Sequence, residues 1–341
     1  MNSIYHLLIT IALLFGFLAC ASKSEKEELA KTIPLEIEKF HPSLDKIIGK
    51  NAKAQVIGSG YEWTEGPLWL ESKQMLLFSE IPANKIHAWK EGANSPDVYL
   101  DPAGFTGTGS RGGELGSNGL ILDSEGNLVI CQHGDRRIAR MMANLETPEA
   151  RYETIIGKYM DMPFNSPNDA VYDAQGNLYF TDPPYGLEYN MDDPKKELPF
   201  QGVYLFTEEG NLELLLDSIS RPNGLAFAPG GEQIILANSD PEKPVWYLYE
   251  VSSTGLLENG RVFYDASEEL KTDKGLPDGL KINSKGIVFA TGPGGIWVFD
   301  PQGIPLGRLK LNQLTSNVAL NDKETTLFVT ADSYVVKIEL Q

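Results

Sequence analysis

The stretch NDAVYDAQGNLYFTDP, residues 168–183, decides how this chain is read. A polar residue opens it. A short apolar run follows, then a turn built on Gly176, then a second apolar run. Short runs of β-branched and aromatic residues bounded by Gly, Pro, Asn and Asp are strand signals. One such hairpin says little, but the outline recurs. EGPLWLESKQMLLFSE, NGLILDSEGNLVICQH, NGLAFAPGGEQIILAN, DGLKINSKGIVFATGP and NVALNDKETTLFVTAD repeat it, opening at Glu65, Asn118, Asn223, Asp278 and Asn317. With Asn168 the six openings are 53, 50, 55, 55 and 39 positions apart. A period of about 40 to 50 residues with several strands per unit marks a β-propeller. The chain therefore reads as all-β, a six-bladed β-propeller. KIHAWKEG, GVYLFTEEG, VWYLYEVSSTG, IWVFDPQG and VVKIEL supply later strands, and no long stretch has helical periodicity. The last unit is short, so a strand near AQVIGSG (54–60) is expected to complete it and close the ring. An open ring would leave exposed strand edges.

Equivalent positions of a propeller repeat fall at one height around the axis. Glu65, Asn118, Asn168, Asn223, Asp278 and Asn317 are thus expected to form a polar ring at one channel mouth. Two carboxylates and four amides offer only oxygen ligands, which suit Ca²⁺ better than zinc. Asn-Gly and Asp-Gly are also ordinary turn dipeptides, so a repeated turn would give much the same pattern. Glu65 separates the two readings, because Glu is a poor turn former.

EGPLW, SPNDAVYDAQGNLYFTDPPYG, RPNGLAF and PDGLKI resemble the senescence marker protein/gluconolactonase/luciferin-regenerating enzyme family over residues 56–341. SNGL, CQHGDRRIAR and GPGGIWVFDPQG are most similar to its bacterial gluconolactonase-like branch. The resemblance implies a six-bladed propeller with a central metal site at the channel mouth. Its ligands would be Glu65, Asn168, Asn223 and Asp278, and the ion Ca²⁺, with Mg²⁺, Mn²⁺ or Zn²⁺ as alternatives. It leaves Asn118 and Asn317 as substrate contacts or structural residues. Two positions depart from the pattern. Ala170 stands where many members have Gly, and Ser166 where animal members carry a substrate-binding Arg.

The expected reaction is metal-dependent opening of a sugar lactone, a small-molecule substrate. The ion polarises the carbonyl and Asp278 acts as base or nucleophile. Two alternatives stay open: a phosphotriesterase-like hydrolase on the same site, and a non-catalytic, calcium-stabilised binding propeller. Further substrate contacts are Asn118, His133 in CQHGDRR, Arg111 in the long loop 101–116, and Tyr185 in DPPYG. Each has a bland reading beside it: a hydrogen-bonded strand-end histidine, a solvated arginine, a packed tyrosine. The bare GPGG turn, Gly292–Gly295, is expected at the substrate mouth. The loops at 101–116 and 186–202 are long enough to act as lids.

LLITIALLFGFLAC, residues 7–20, fits a secretory leader and is short for a membrane span. Leu18-Ala19-Cys20 resembles a bacterial lipobox, which would lipidate Cys20. The chain then divides into a leader (1–20), a tether and N-terminal extension (21–50) and the propeller (51–341). The expected location is the periplasm or cell envelope, with the membrane touched only through the lipid anchor. Lys plus Arg number 29 against 47 Asp plus Glu, a net charge of −18, which argues against a nucleic-acid partner. Cys20 and Cys131 are the only cysteines, so no disulfide framework is implied. The ring architecture requires no oligomer.

Overall fold

The computed structural model describes residues 32–109 and 112–341. The expected leader, with Cys20, and Arg111 lie outside these residues. The described strands form six antiparallel sheets and one small ribbon, Lys158–Tyr159 with Met162–Pro163. The six inner strands are Thr64–Leu70, Ser117–Leu122, Ala170–Tyr172, Pro222–Phe227, Leu280–Ile282 and Asn317–Leu320. Each touches the inner strands of both its neighbours, so the ring is closed and has six blades.

Closure comes from the strand expected to provide it. Ala54–Ser59 pairs with Tyr334–Glu339 as the fourth strand of the sixth blade. The extension before it is also part of the ring. Glu36–Lys39 adds an edge strand to the fifth blade by pairing with Pro305–Lys310. Thr32–Ile33 covers Ala54 and Gln55 of the sixth. Leu44 and Ile48 bury between these two blades. Residue 51 is thus a seam in composition, while residues 32–50 pack with blades five and six.

The hairpins form because their turns satisfy their own backbone. Asp123, Asp173, Asn283 and Asp300 each accept N–H bonds from the residues two and four positions on, at 2.8–3.0 Å. Alternation along the strands then fills the gaps between blades. Trp246, Trp297 and Phe299 fill the gap between blades four and five, and Trp69 stacks on Phe328 across the closing seam at 4.8 Å. Each fully buried large apolar side chain stabilises by about 1.5–3 kcal/mol. That packing holds the inner strands at fixed spacing around the axis.

Candidate active site

Bulges and short strand starts aim the ring residues into the channel. The inner strands of blades one, two and four slip register immediately after Glu65, Ser117 and Pro222. In blades three and five, regular pairing begins only at Ala170 and Leu280, two residues past Asn168 and Asp278. A bulge re-aims side chains and ends pairing, and it recurs beside functional sites. Glycine makes the crowding tolerable. A Cβ on Gly279 would lie 1.9 Å from Asn317 Cγ, and one on Gly66 2.0 Å from the Asn118 carbonyl oxygen. Gly66 also sits at φ +52°, where a side chain is strained. Asp278 is followed by a glycine because the next blade's ring residue occupies that space.

Buried hydroxyls stitch four of the six blade junctions among the described residues. Ser79 donates to the Asn118 carbonyl at 2.8 Å, Thr291 to the Ser316 carbonyl at 2.8 Å, and Ser239 to the Pro277 carbonyl. Ser316 donates to the Thr64 carbonyl at 2.6 Å across the seam, and also to Thr330 Oγ1. Thr181 and Thr330 hold the corresponding places in blades three and six, and Cys131 holds that of blade two. Cys131 is free and buried, and burial pushes its thiol up. Five of the six repeats carry a Ser or Thr near the end of the second apolar run, a pattern that sequence reasoning passed over.

The ring residues meet at one cavity of about 560 Å³. Glu65, Asn118, Asn168, Asn223, Asp278 and Tyr185 all line it. Glu65 Oε2 accepts from the Gly66 N–H at 2.9 Å and from Asn317 Nδ2 at 3.2 Å. Asn317 turns its own Oδ1 to the Val318 N–H, so both ends of its amide are spent inside the protein. It positions Glu65 and offers nothing to the cavity. Asn223 donates its Nδ2 to Ser239 at 2.9 Å, which leaves Oδ1 uncommitted. Asn118 Oδ1 and Asp278 Oδ1 are shut from solvent and have no hydrogen-bond partner among the described residues.

These acids repel one another in a desolvated place. Burial pushes the Glu65 carboxyl up to about 8, against the pull of the Gly66 and Asn317 donors. Burial raises Asp278 well above the usual carboxylate range, and the charges of Glu65, Glu114 and Asp169 raise it further. Asp169, just below the ring, is raised chiefly by burial too, and its Oδ2 is buried without a partner. Unpaired buried oxygens and mutually repelling carboxylates are what a bound cation would relieve. Among the described residues no group of three or more His, Cys, Asp and Glu converges on one point. The ring's two acids are interleaved with amides, the mixed oxygen set that hard cations accept. The residues therefore fit a Ca²⁺-like ion, which Glu65, Asn168, Asn223 and Asp278 would hold.

The long loops bring an acid that sequence reasoning missed. Glu114, in the loop 101–116, lines the cavity, and its N–H donates to the Tyr185 carbonyl at 3.3 Å. Nothing in its Gly-rich context signalled a site. His133 is fully buried behind the wall, with Nδ1 3.1 Å from Glu114 Oε2. Neither ring nitrogen makes a hydrogen bond among the described residues, and His133 does not line the cavity. Ser166 is also fully buried, bonded to the Pro183 carbonyl and the Gly186 N–H. Arg136 and Arg137 are clamps, the first on the carbonyls of Phe164 and Asn165, the second on Gln132 and Asp135.

The GPGG turn serves the fold, contrary to expectation. It joins the second and third strands of blade five and does not line the cavity. A Cβ on Gly294 would lie 2.5 Å from Arg308 Nη1. Arg308 is buried there over the Trp297 ring, between Glu38 at 2.7 Å and Asp273 at 2.9 Å. A larger cavity of about 710 Å³, between the N-terminal extension and blades five and six, contains none of the ring residues.

Residues 63–333 match the SMP-30/Gluconolactonase/LRE-like region. The chain is 36% identical over 311 residues to a gluconolactonase of Zymomonas mobilis, covering 89% of this chain and 85% of the relative. It superposes on the structure of a Xanthomonas campestris gluconolactonase with a TM-score of 0.77 at 26% identity, over 91% of this chain and 97% of the other. A calcium-binding protein, regucalcin, from Agrobacterium tumefaciens has the same fold (TM-score 0.64, 17% identity, 84% and 96% covered).

Proposed function

The chain belongs to the SMP-30/gluconolactonase/LRE-like family, and from that premise we propose that it is a metal-dependent lactonase that opens a sugar lactone at the Glu65–Asp278 ring. One observation carries the reading. Asp278 Oδ1 is buried and unpartnered beside a second buried carboxylate, and among the described residues neither acid makes an ion pair with a cationic side chain. Such a site costs stability unless it does something with a cation and a polar substrate. The gluconolactonases of Zymomonas and Xanthomonas support lactones as the substrate class.

Glu65, Asn168, Asn223 and Asp278 would hold one divalent ion, Ca²⁺ by preference for an all-oxygen set. When bound there it would supply Lewis acidity toward an ester carbonyl. Asp278, the ring's Asp with Oδ1 turned to no partner among the described residues, takes the proton of the attacking water. As the acyl carbon–oxygen bond breaks, that proton passes to the departing ring oxygen and the product is a hydroxy acid. Asn118 uses its amide to orient the sugar hydroxyls. The Tyr185 hydroxyl, pushed up by burial and the Asp278 charge, stays protonated and donates. Glu114, held by its N–H bond to the Tyr185 carbonyl, closes the mouth on the lid side.

Export, with Cys20 as lipid attachment point, belongs to the same proposal on the strength of residues 7–20. The reading is tested by proton release from a panel of aldonolactones, simple carboxylic esters and a phosphotriester. Aldonolactones are expected to turn over fastest. Hydrolysis of the phosphotriester with no lactone opened would overturn it.

A further inference from the structure

The position two residues before each ring residue forms a second tier of the mouth. It is held in turn by Trp63, Gly116, Ser166, Arg221, Leu276 and Thr315. Arg221 alone among them is charged, and it lines the cavity with Glu65 and Asp278. Its backbone is fixed on both sides. The N–H donates to Asn238 Oδ1 at 2.9 Å, and the carbonyl accepts from the Ser239 N–H at 2.9 Å. Its guanidinium makes no ion pair with any described carboxylate. Asp240, between the cavity-lining Ser239 and Pro241, feels the Arg221 charge but makes no ion pair with it, accepting instead from the Ser220 hydroxyl at 2.5 Å and the Glu242 N–H at 2.9 Å. Arg221 and Tyr185 line the same cavity, and the guanidinium's charge opposes the rise in the Tyr185 phenol.

Lys274 lines the cavity as well, exposed and without an ion-pair partner among the described residues. Its neighbour Asp273 is neutralised by Arg308 at 2.9 Å and Lys310 at 3.5 Å. One side of the mouth therefore carries two cations with no ion-pair partner among the described residues, on a chain of net charge −18. A guanidinium on a partly apolar wall, here with Leu276 and Leu314, is suited to bidentate capture of a carboxylate or phosphate.

We propose that the lactone opened at this site is anionic, and that Arg221, assisted by Lys274, binds a carboxylate or phosphate remote from its carbonyl. This rests on the lactonase reading above. The acidic ring and the cationic wall then divide the work. The ring addresses the carbonyl, and the wall selects a substrate whose charge sits at the other end. A neutral sugar lactone would leave the cations unpaired.

The test compares kcat/KM for three lactones: neutral D-glucono-1,5-lactone, its 6-phosphate, and D-glucaro-1,4-lactone, which carries a carboxylate. The wild type is expected to favour at least one charged lactone about tenfold or more, with the preference shrinking at high salt. Arg221→Gln should cut that charged-to-neutral ratio about tenfold or more, and Arg221→Lys should restore part of it. Lys274→Gln, at an exposed position, should cut it severalfold. Which charged lactone leads tells carboxylate from phosphate. A wild-type ratio near one, or a ratio unmoved by both Arg221→Gln and Lys274→Gln, overturns the proposal while leaving the lactonase reading standing. If none of the three lactones is opened, both fall.

Discussion

Asn317, on the last inner strand, gives its amide N–H to Glu65 on the first, 3.2 Å away and 252 positions apart in the chain. The contact crosses the seam where the ring closes, so closing the fold also orients the carboxylate. Asn317→Ala should weaken Ca²⁺ binding about 10–100-fold, the usual cost of losing a group that orients a ligand. The fold should persist, since Ser316, Thr64 and the pairing of Ala54–Ser59 also hold the seam. Calorimetric titration with Ca²⁺ checks this; an unchanged affinity would mean that Glu65 does not depend on Asn317.

The crowding at the mouth gives a second prediction. Gly279→Ala places a methyl where the Asn317 amide now lies. Asn317 must move, and Glu65 with it. A loss of about 2 kcal/mol or more is expected from overpacking a tight site. It should appear as a lower Tm together with weaker Ca²⁺ binding. A stable variant with native affinity would show that the glycine is only a turn residue.

Stability of the metal-free protein should fall as pH rises. Glu65, with an ordinary value of 4.5, is pushed up to about 8 by burial, and Asp278 is raised in the same direction. Between those values the folded chain holds protons that the unfolded chain has released. Each such proton costs up to about 1.4 kcal/mol per pH unit as pH rises. The penalty levels off once the folded groups have ionised. Ca²⁺ should abolish the slope, and its binding should release protons. Melting curves from pH 5 to 8, with Ca²⁺ and with chelator, give the answer. A metal-free Tm that rises with pH across this range would contradict the assignment.

Asp278→Asn keeps an oxygen toward the ion and removes the base. A fall in kcat of about 100-fold or more is expected, the range for losing a general base. Ca²⁺ binding should weaken while remaining measurable. Near-normal turnover would remove Asp278 from the proton transfer.

The blades, their closure and the ring were legible because each rests on a short-range rule repeated six times. Alternation gave the strands, Asp, Asn and Gly gave the turns, and equal spacing put one residue of each unit at one height. What distinguishes the ring members from each other was not legible. Asn317 and Asn223 open near-identical segments, yet one spends its amide on Glu65 and Val318 while the other keeps Oδ1 free. That difference comes from contacts between blades. Glu114 was hidden for the same reason, since its place over the ring is set by the fold of a loop against Tyr185. The Glu38–Arg308–Asp273 cluster joins parts of the chain that sequence reading kept apart, and it gave the GPGG turn its actual partner.

The central claim is that a divalent ion bound by the ring drives lactone opening. It is tested most directly by following acid release from D-glucono-1,5-lactone and its 6-phosphate with chelator-treated protein, before and after adding back Ca²⁺. The account predicts loss of enzymatic turnover on chelation, recovery with Ca²⁺, and no recovery in Glu65→Gln. Full activity in the thoroughly metal-depleted protein would contradict it.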